Sequence, residues 1–408
     1  MDKLYVGIDV SSKENVVYIM KPDGSKHSGF SVPNTRPGAE KLVEKVMSAL
    51  NAENLSDVAF GLEATSVYGE NLVYFLREDS RLAALDSKIH VLNPKQVSKF
   101  KEAHNDLPKN DKIDSYVIAD CLRFGRINKE IYISDYRYDA LKNLTRARFF
   151  TVQNLTKEKQ RFINVLFKKY SSLTQEKVFS DTFGATAMAV YGEFDSADAL
   201  AYMDLHDLTE FIKEKGKNRF SDPEAVANAI QKAARSSYRL PKTVNDSVNQ
   251  VLAVSLNAIR SLEQQIKQLD KAIAEQLELI PNTLTSIKGI GSVYSAGIIA
   301  EIGDINRFEN QAKLAKYAGF VWSQHQSGDF ESQNTRLIRS GNRFLKYYLC
   351  EAAMSLVRCD TEYKHFYDLK YKEVNKYQHK RALALTARKF VRLVFRLMKD
   401  NCLYISAE

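Results

Sequence analysis

Four carboxylate side chains in the first third of the sequence could carry out metal-dependent chemistry together. Asp9 and Glu63 each end an alternating apolar run. Asp111 and Asp114 stand three residues apart, a spacing that places both side chains on one face of a helix. Converging carboxylates repel one another unless a hard cation holds them, and ligand sets made only of oxygen favour Mg²⁺ or Mn²⁺. Two such ions can activate an attacking oxygen and stabilise a leaving one, so the predicted chemistry is phosphoryl transfer.

The elements that would position these acids follow from apolar periodicity and turn residues. The sequence predicts strands over residues 3–10, 14–20, 27–32, 57–63 and 88–92, and helices over 39–50, 67–77, 96–103 and 113–124. Three strands, then helix, strand, helix, strand and helix, is the element order of the ribonuclease H-like fold, which includes the RuvC resolvases. The predicted fold class is therefore an α/β RuvC-like amino-terminal domain followed by mainly helical regions.

A glycine stands two residues before each of the first two acids. Because side chains alternate along a strand, Gly7 shares a face with Asp9, and Gly61 shares one with Glu63. The missing side chains are expected to leave room for a ligand or a substrate backbone. Actin-like sugar kinases use a similar first hairpin, but this sequence lacks their later Asp-x-Gly and Gly-Gly motifs.

Single acids also have simpler explanations. An aspartate such as Asp111 or Asp114 is more often a helix N-cap, and Asp9 alone could end a strand at a turn. Four acids in this predicted topology favour metal binding.

The predicted organisation has three regions. Residues 1–140 form the metal-binding domain, residues 141–280 a helical region, and residues 281–408 a mainly helical carboxy-terminal domain. Within the second region, apolar residues recur every three or four positions over 252–280, which predicts a coiled coil that pairs within the chain or between subunits. Residues 171–240 carry no motif, and an RNA-binding or dimerisation role is the hypothesis for them.

Two carboxy-terminal segments are candidates for binding nucleic acid. Residues 284–302 predict a helix-hairpin-helix in which Lys288, Gly289 and Gly291 present loop amides to a phosphate, although a tight packing turn explains the glycines equally well. Residues 361–399 hold eleven Lys or Arg against three acids, which is +8 of the net charge of +9. Interleaved aromatic residues suit a polyanion with bases to stack, whereas a solvated helix face is the alternative. An amphipathic helix over 380–399 would turn Arg388, Arg392 and Arg396 towards phosphates.

Composition excludes other classes of protein. At 408 residues and 44% apolar composition, the chain can bury several cores. No apolar run approaches the roughly 20 residues that cross a bilayer, and no leader segment is evident, so a soluble cytoplasmic protein without a membrane partner is expected. The four cysteines are scattered, which indicates neither a disulfide framework nor a zinc site.

Six short motifs together resemble those of the DEDD transposases of the insertion-sequence one-ten family. These enzymes are bridge-RNA-guided recombinases, and the Piv-type DNA invertases are relatives. The motifs are GIDVS at 7–11, GLEAT at 61–65, NDKID at 110–114, IKGIG at 287–291, SG at 327–328 and RSGN at 339–342. The resemblance covers residues 1–170 and 281–400 in the same order.

The resemblance implies a composite catalytic site. The RuvC-like domain would hold Mg²⁺, or Mn²⁺ as a substitute, through Asp9, Glu63, Asp111 and Asp114. A serine of the carboxy-terminal domain, here Ser327, would attack a DNA phosphodiester and form a phosphoserine link, so that strands can be rejoined without a ligase. Near the serine, the segment predicted to contact nucleic acid contains Arg336, Arg339 and Asn342.

The resemblance also implies partners. These are double-stranded donor and target DNA, a structured noncoding guide RNA, and further copies of the chain in a homodimer that assembles into a homotetramer. The expected location is the nucleoid of a prokaryotic cytoplasm.

The sequence departs from the family pattern near the serine, and other functions stay open. Asp329 follows Ser327-Gly328 where a second small residue is frequent, and Ser323 and Ser332 are near enough to be alternative nucleophiles. The other functions are a site-specific DNA invertase, a metal-only structure-selective nuclease in which the serine is structural, and a nucleic-acid-binding regulator that no longer reacts.

Overall fold

A computed structural model describes most of the chain. The described residues are 3–64, 67–104, 108, 110–125, 135–176, 178–322, 326–327, 330–331, 337–338 and 340–405. They form two compact units, Met1–Ile133 and Ser134–Glu408. The finer division into three regions stays a prediction. Among the described helices, none combines the length and the apolar character that a membrane span requires.

The first unit is a five-stranded mixed sheet with helices packed on it. Its strands are β1 Leu4–Val10, β2 Glu14–Met20, β3 Lys26–Pro33, β4 Asp57–Glu63 and β5 Asp86–Leu92, and its helices are α1 Arg36–Glu53, α2 Glu70–Glu78, α3 Ser80–Ala83, α4 Pro94–Glu102 and α5 Asp111–Arg123. The strand order is β3-β2-β1-β4-β5, with β1 antiparallel to β2 and parallel to β4. The predicted element order is confirmed, and the sheet is consistent with a ribonuclease H-like domain.

The central strand β1 is covered on both faces. Leu4, Val6 and Ile8 are fully buried and share an apolar core with residues of α1. On the other face, a Cβ added to Gly7 would lie 2.0 Å from the carbonyl oxygen of Ser115 in α5. A Cβ on Gly61 would likewise lie 2.8 Å from a methyl carbon of Leu122. The prediction that these glycines leave room for a ligand is wrong, because α5 fills the space.

Adding one methyl group at this crossing should loosen the first unit. We expect Gly7→Ala to lower the free energy of unfolding by about 3 kcal/mol, because backbone atoms of α5 cannot move away without shifting the helix. Thermal unfolding of the full chain measures this effect. Gly29→Ala in β3 is the matched control, since its new Cβ would lie 3.3 Å from the flexible end of Lys26 and at ordinary contact distance, 3.6 Å, from the carbonyl oxygen of Val17. Equal effects of the two substitutions would contradict the packing role of Gly7.

The second unit is built around two long helices. Its elements are α6 Tyr136–Lys169, α7 Ser171–Gln175, α8 Ala185–Glu193, α9 Ala197–Ala201, α10 Leu205–Gly216, α11 Pro223–Ser236, α12 Lys242–Glu278, α13 Ser292–Ile302, α14 Gln311–Tyr317, the short strands β6 Gln326–Ser327 and β7 Phe330–Glu331, α15 Arg343–Cys359, α16 Thr361–Lys372 and α17 Gln378–Asp400. Segment 171–240, which carries no sequence motif, contains α7–α11. These helices share an apolar core with parts of α6 and α12. Their functional role stays a hypothesis.

The apolar stripe of α12 pairs with α6 of the same chain. Lys159 Nζ lies 2.7 Å from Glu263 Oε1, and an ion pair joins Arg148 to Asp270, so the two helices run antiparallel. Both ends of the stripe are buried, whereas the middle residue Ile266 is half-buried. These described contacts lie within one chain, and a coiled-coil geometry stays a prediction.

Candidate active site

Three of the four predicted acids converge. Carboxylate oxygens of Asp9, Asp111 and Asp114 all lie within 4.8 Å of one another. Asp9 stands near the carboxyl end of β1, and α5 begins at Asp111, where Asn110 Oδ1 caps the helix by accepting a hydrogen bond from the backbone N–H of Ile113 at 3.0 Å. The close crossing of α5 over Gly7 brings its first turn towards the end of β1. The predicted convergence is confirmed for these three side chains.

Glu63 interacts electrostatically with Asp9 and Asp114 but lies outside the close group formed by Asp9, Asp111 and Asp114. It ends β4, which pairs in parallel with β1. Burial raises the pKa of Glu63, and the charges of Asp9 and Asp114 raise it further. The fourth acid therefore lies close enough to interact with the others, while the close group in the described residues contains only aspartates.

Negative charge in the cluster is only partly compensated. Burial raises the pKa of Asp9 to about 6, and the neighbouring charges of Asp111 and Asp114 contribute to the shift. Lys101 opposes it, and its Nζ donates a hydrogen bond of 2.6 Å to Asp114 Oδ1. Oxygen ligands with uncompensated charge fit a divalent cation, for which Asp9, Asp111 and Asp114 are the candidate ligands.

Sequence reasoning gave Lys101 no role. The residue was placed within a predicted helix, but nothing in the helical pattern indicated that its side chain would reach an acid ten or more positions downstream. The available signal was its position on the helix that immediately precedes the Asp-x-x-Asp helix.

The raised pKa of Asp9 predicts that the stability of the protein depends on pH. The pKa of Asp9 in the folded state, about 6, lies above its ordinary value of 3.8. Between these two pH values the folded state therefore binds more protons than the unfolded state, and the protein loses stability as the pH rises. In EDTA at pH 7.5, we therefore expect Asp9→Asn to be more stable than the wild type by about 1 kcal/mol, a figure reduced because the carboxylate is half-exposed. At pH 4 the difference should disappear.

Thermal unfolding at the two pH values measures this prediction. A gain of 1 kcal/mol corresponds to a rise in Tm of about 2–4 °C for a unit of this size class. Asp86→Asn, at the exposed start of β5, is the matched control and should leave the pH dependence unchanged. If the stabilities of Asp9→Asn and the wild type depended on pH in the same way, the raised pKa of Asp9 would be contradicted.

Ser327 lies in a two-stranded hairpin. The short strands β6 and β7 pair antiparallel, with Ser327 opposite Phe330, and a single bridge joins Trp322 to Leu337. The backbone of Ser327 therefore lies at the end of β6. The side chain of Ser327 lies outside the described part of the chain, as do Ser323, Ser332, Arg336 and Arg339, so their predicted roles stay predictions.

Asn342 has an internal role in the second unit. Its Oδ1 accepts hydrogen bonds of 3.0 Å from the backbone N–H groups of Phe344 and Leu345 and so caps α15. Its Nδ2 donates a hydrogen bond of 2.6 Å to the buried carboxylate of Glu301, which also pairs with Arg146. The amide is thus occupied inside the unit, and its contact with nucleic acid stays a prediction.

The predicted helix-hairpin-helix has only its second helix. Before α13 the chain forms a single 3₁₀ turn at Leu284–Ser286. Gly289 has a positive φ of 88°, and a Cβ there would lie 2.9 Å from Cys359 Sγ, so this glycine serves close packing on α15. Lys288, Gly289 and Gly291 are nevertheless exposed, and Gly291 precedes the first turn of α13.

Helix α17 has the predicted amphipathic character. Its buried face includes Phe390, Val394 and Leu397. Arg392 and Arg396 are exposed, as predicted, whereas Arg388 is half-buried and donates a hydrogen bond of 2.7 Å to Gln311 Oε1. Two of the three predicted arginines therefore face outward.

Comparisons with known proteins find similarity to transposases in two regions of the chain. A DEDD transposase model, described as "Transposase", matches residues 6–170, and a model described as "Transposase IS116/IS110/IS902 family" matches residues 282–368. The 44.8 kDa protein of insertion element IS116 from Streptomyces clavuligerus is 23% identical over 100% of this chain and 97% of its own length. The transposase for insertion sequence element IS1111A from Coxiella burnetii is 30% identical over 35% of this chain and 37% of its own length. The acids fall in the first matched region and Ser327 in the second.

Proposed function

Because the chain belongs to the IS110 family of insertion-sequence transposases, the one-ten family that its motifs resemble, we propose that it cuts and rejoins double-stranded DNA with a serine nucleophile and Mg²⁺. The observation that carries this proposal is the convergence of Asp9, Asp111 and Asp114 within 4.8 Å. An enzyme of this family needs a site for a divalent cation, and these three carboxylates supply its donor set.

The acids are proposed to hold Mg²⁺, with Glu63 contributing from β4. When bound, Mg²⁺ would favour deprotonation of an attacking hydroxyl and neutralise charge on the phosphate. The chain's own contribution is rigidity, since α5 is fixed on β1 by the close contact at Gly7. The aspartates are thereby preorganised, and their convergence does not depend on the bound cation.

Ser327 is the proposed nucleophile. Its Oγ–H loses a proton, Oγ forms a bond to the phosphorus, and the bond from phosphorus to one deoxyribose oxygen breaks, with that oxygen taking up a proton. Attack by the hydroxyl of another DNA end reverses these steps and releases the serine. Because every phosphoester bond broken is replaced by another, strand exchange needs no external energy source.

Partners are proposed from the family membership. A structured noncoding RNA encoded beside the gene would pair with donor and target DNA and select the sites. Exposed basic residues such as Lys288, Arg392 and Arg396 would contact phosphates of the nucleic acids. A homodimer that assembles into a homotetramer would bring together the serine and the acids of different subunits at the nucleoid.

A reconstituted recombination reaction tests the proposal. The full chain, labelled donor and target duplexes, RNA transcribed from the flanking DNA and Mg²⁺ are expected to yield joined donor–target strands. Omission of the RNA, or addition of EDTA, should prevent joining. Inversion of a segment within one DNA molecule would identify an invertase, cleavage without joining a nuclease, and binding without cleavage under all conditions a regulator.

A further inference from the structure

Lys101 reaches the acid cluster from a neighbouring helix. Its Nζ lies 2.6 Å from Asp114 Oδ1, and the side chains of Lys101 and Asp114 are only 21% and 28% exposed. A fully exposed lysine–carboxylate pair contributes little to stability, because solvent screens it and both side chains lose freedom. Here the pair is half-buried beside two further aspartates, so the ammonium compensates charge that solvent reaches poorly.

The backbone that carries Lys101 is fixed against α5. Val97 of α4 is buried in a small apolar core with Val117 and Ile118 of α5. At the end of α4, His104 Nε2 lies 3.4 Å from Asp120 Oδ2. These contacts hold α4 on the helix that supplies two of the acids, so Lys101 points at Asp114 as a consequence of packing.

The ammonium acts on more than one acid. Besides its contact with Asp114, Lys101 lowers the pKa of Asp9 and that of Glu63, although burial raises both more strongly. Glu63 is the acid that lies outside the close group of three. The direct contact of the ammonium is with Asp114, and its electrostatic effect extends to Asp9 and Glu63.

We propose that Lys101 is a built-in cation of this site, and that its ammonium replaces a second divalent ion, so that the site binds one. The proposal rests on the proposed function for the role of the bound ion. Its physical basis is repulsion: the ammonium already occupies Asp114 Oδ1 at 2.6 Å, so a second divalent ion at that oxygen would meet a full positive charge at short range. Lys101 is a positioning residue: its hydrogen bond of 2.6 Å orients the carboxylate of Asp114 before the ion arrives.

Binding of Mn²⁺ to the full chain without nucleic acid tests the proposal. Titration followed by electron paramagnetic resonance should show one bound ion for the wild type. For Lys101→Met we expect a second bound ion, because the ammonium no longer occupies Asp114 Oδ1. Without metal, Lys101→Met should also have a lower Tm, since the acids lose their counter-charge.

Two control variants keep the outcome interpretable. Lys99→Met removes an exposed lysine from the same helix and should bind one ion, like the wild type. Lys101→Arg keeps the charge and should also bind one ion. Two ions on the wild type, or a single ion on Lys101→Met, would overturn the role of Lys101. DNA joining by the same preparations separates the two proposals, because joining by a wild type that binds two ions leaves the proposed function intact.

Discussion

Asp9→Asn is expected to abolish DNA cleavage by the full chain, with a loss of at least about 10³-fold in rate. Within the close group, Asp9 is the acid that the sheet supplies. Asp111 and Asp114 both belong to α5. Asparagine has nearly the same shape but lacks the charge that binds a divalent cation. The loss should therefore come from weakened metal binding and a missing counter-charge, with the fold unchanged.

The stability of the same variant allows lost cleavage to be distinguished from unfolding. Metal-free Asp9→Asn is expected to be more stable than the wild type at neutral pH, so lost cleavage could not be attributed to unfolding. Cleavage of labelled DNA in Mg²⁺ and guide RNA measures the effect, and Asp86→Asn should cleave at the wild-type rate. Residual cleavage above a tenth of the wild-type rate would show that the three-aspartate group is not the catalytic metal site.

Much of the first unit could be predicted because its signals are local. Strand β2 has the predicted bounds, Glu14–Met20, and β4 has the predicted bounds, Asp57–Glu63. Turn residues and apolar alternation within each segment determine these bounds. The convergence of Asp9 with Asp111 then follows from element order, because α5 has to cover the face of the sheet opposite α1.

Contacts between elements were harder to predict than the elements. Gly7 was expected to leave space for a ligand, yet α5 occupies that space. A single sequence does not show whether a ligand or another element of the chain packs against a glycine. Lys101 was missed for a related reason, since its partner Asp114 is set by the docking of α4 on α5. Asn342 likewise reads as a loop residue in a motif, whereas its bonds to Glu301 and to α15 exist only in the folded unit.

Ser327→Ala is expected to abolish the covalent protein–DNA adduct and to reduce strand cleavage by at least about 10³-fold, because no other group would supply the attacking oxygen. Binding of Mn²⁺ should be unchanged, since the acids lie in the other unit of the chain. Trapping with labelled junction DNA, guide RNA and Mg²⁺, followed by denaturation, measures the adduct. Ser323→Ala and Ser332→Ala are the matched controls and should form it.

The pattern of losses distinguishes the remaining mechanisms. An adduct lost in Ser327→Ala and in Asp9→Asn supports a serine nucleophile that depends on the metal site. An adduct that persists in Ser327→Ala but disappears in Ser323→Ala or Ser332→Ala would move the nucleophile to that serine. Cleavage without any adduct, retained in Ser327→Ala and lost in Asp9→Asn, would instead require water as the nucleophile. In that case the hairpin of β6 and β7 would serve a structural or binding role, and the acids alone would carry the chemistry.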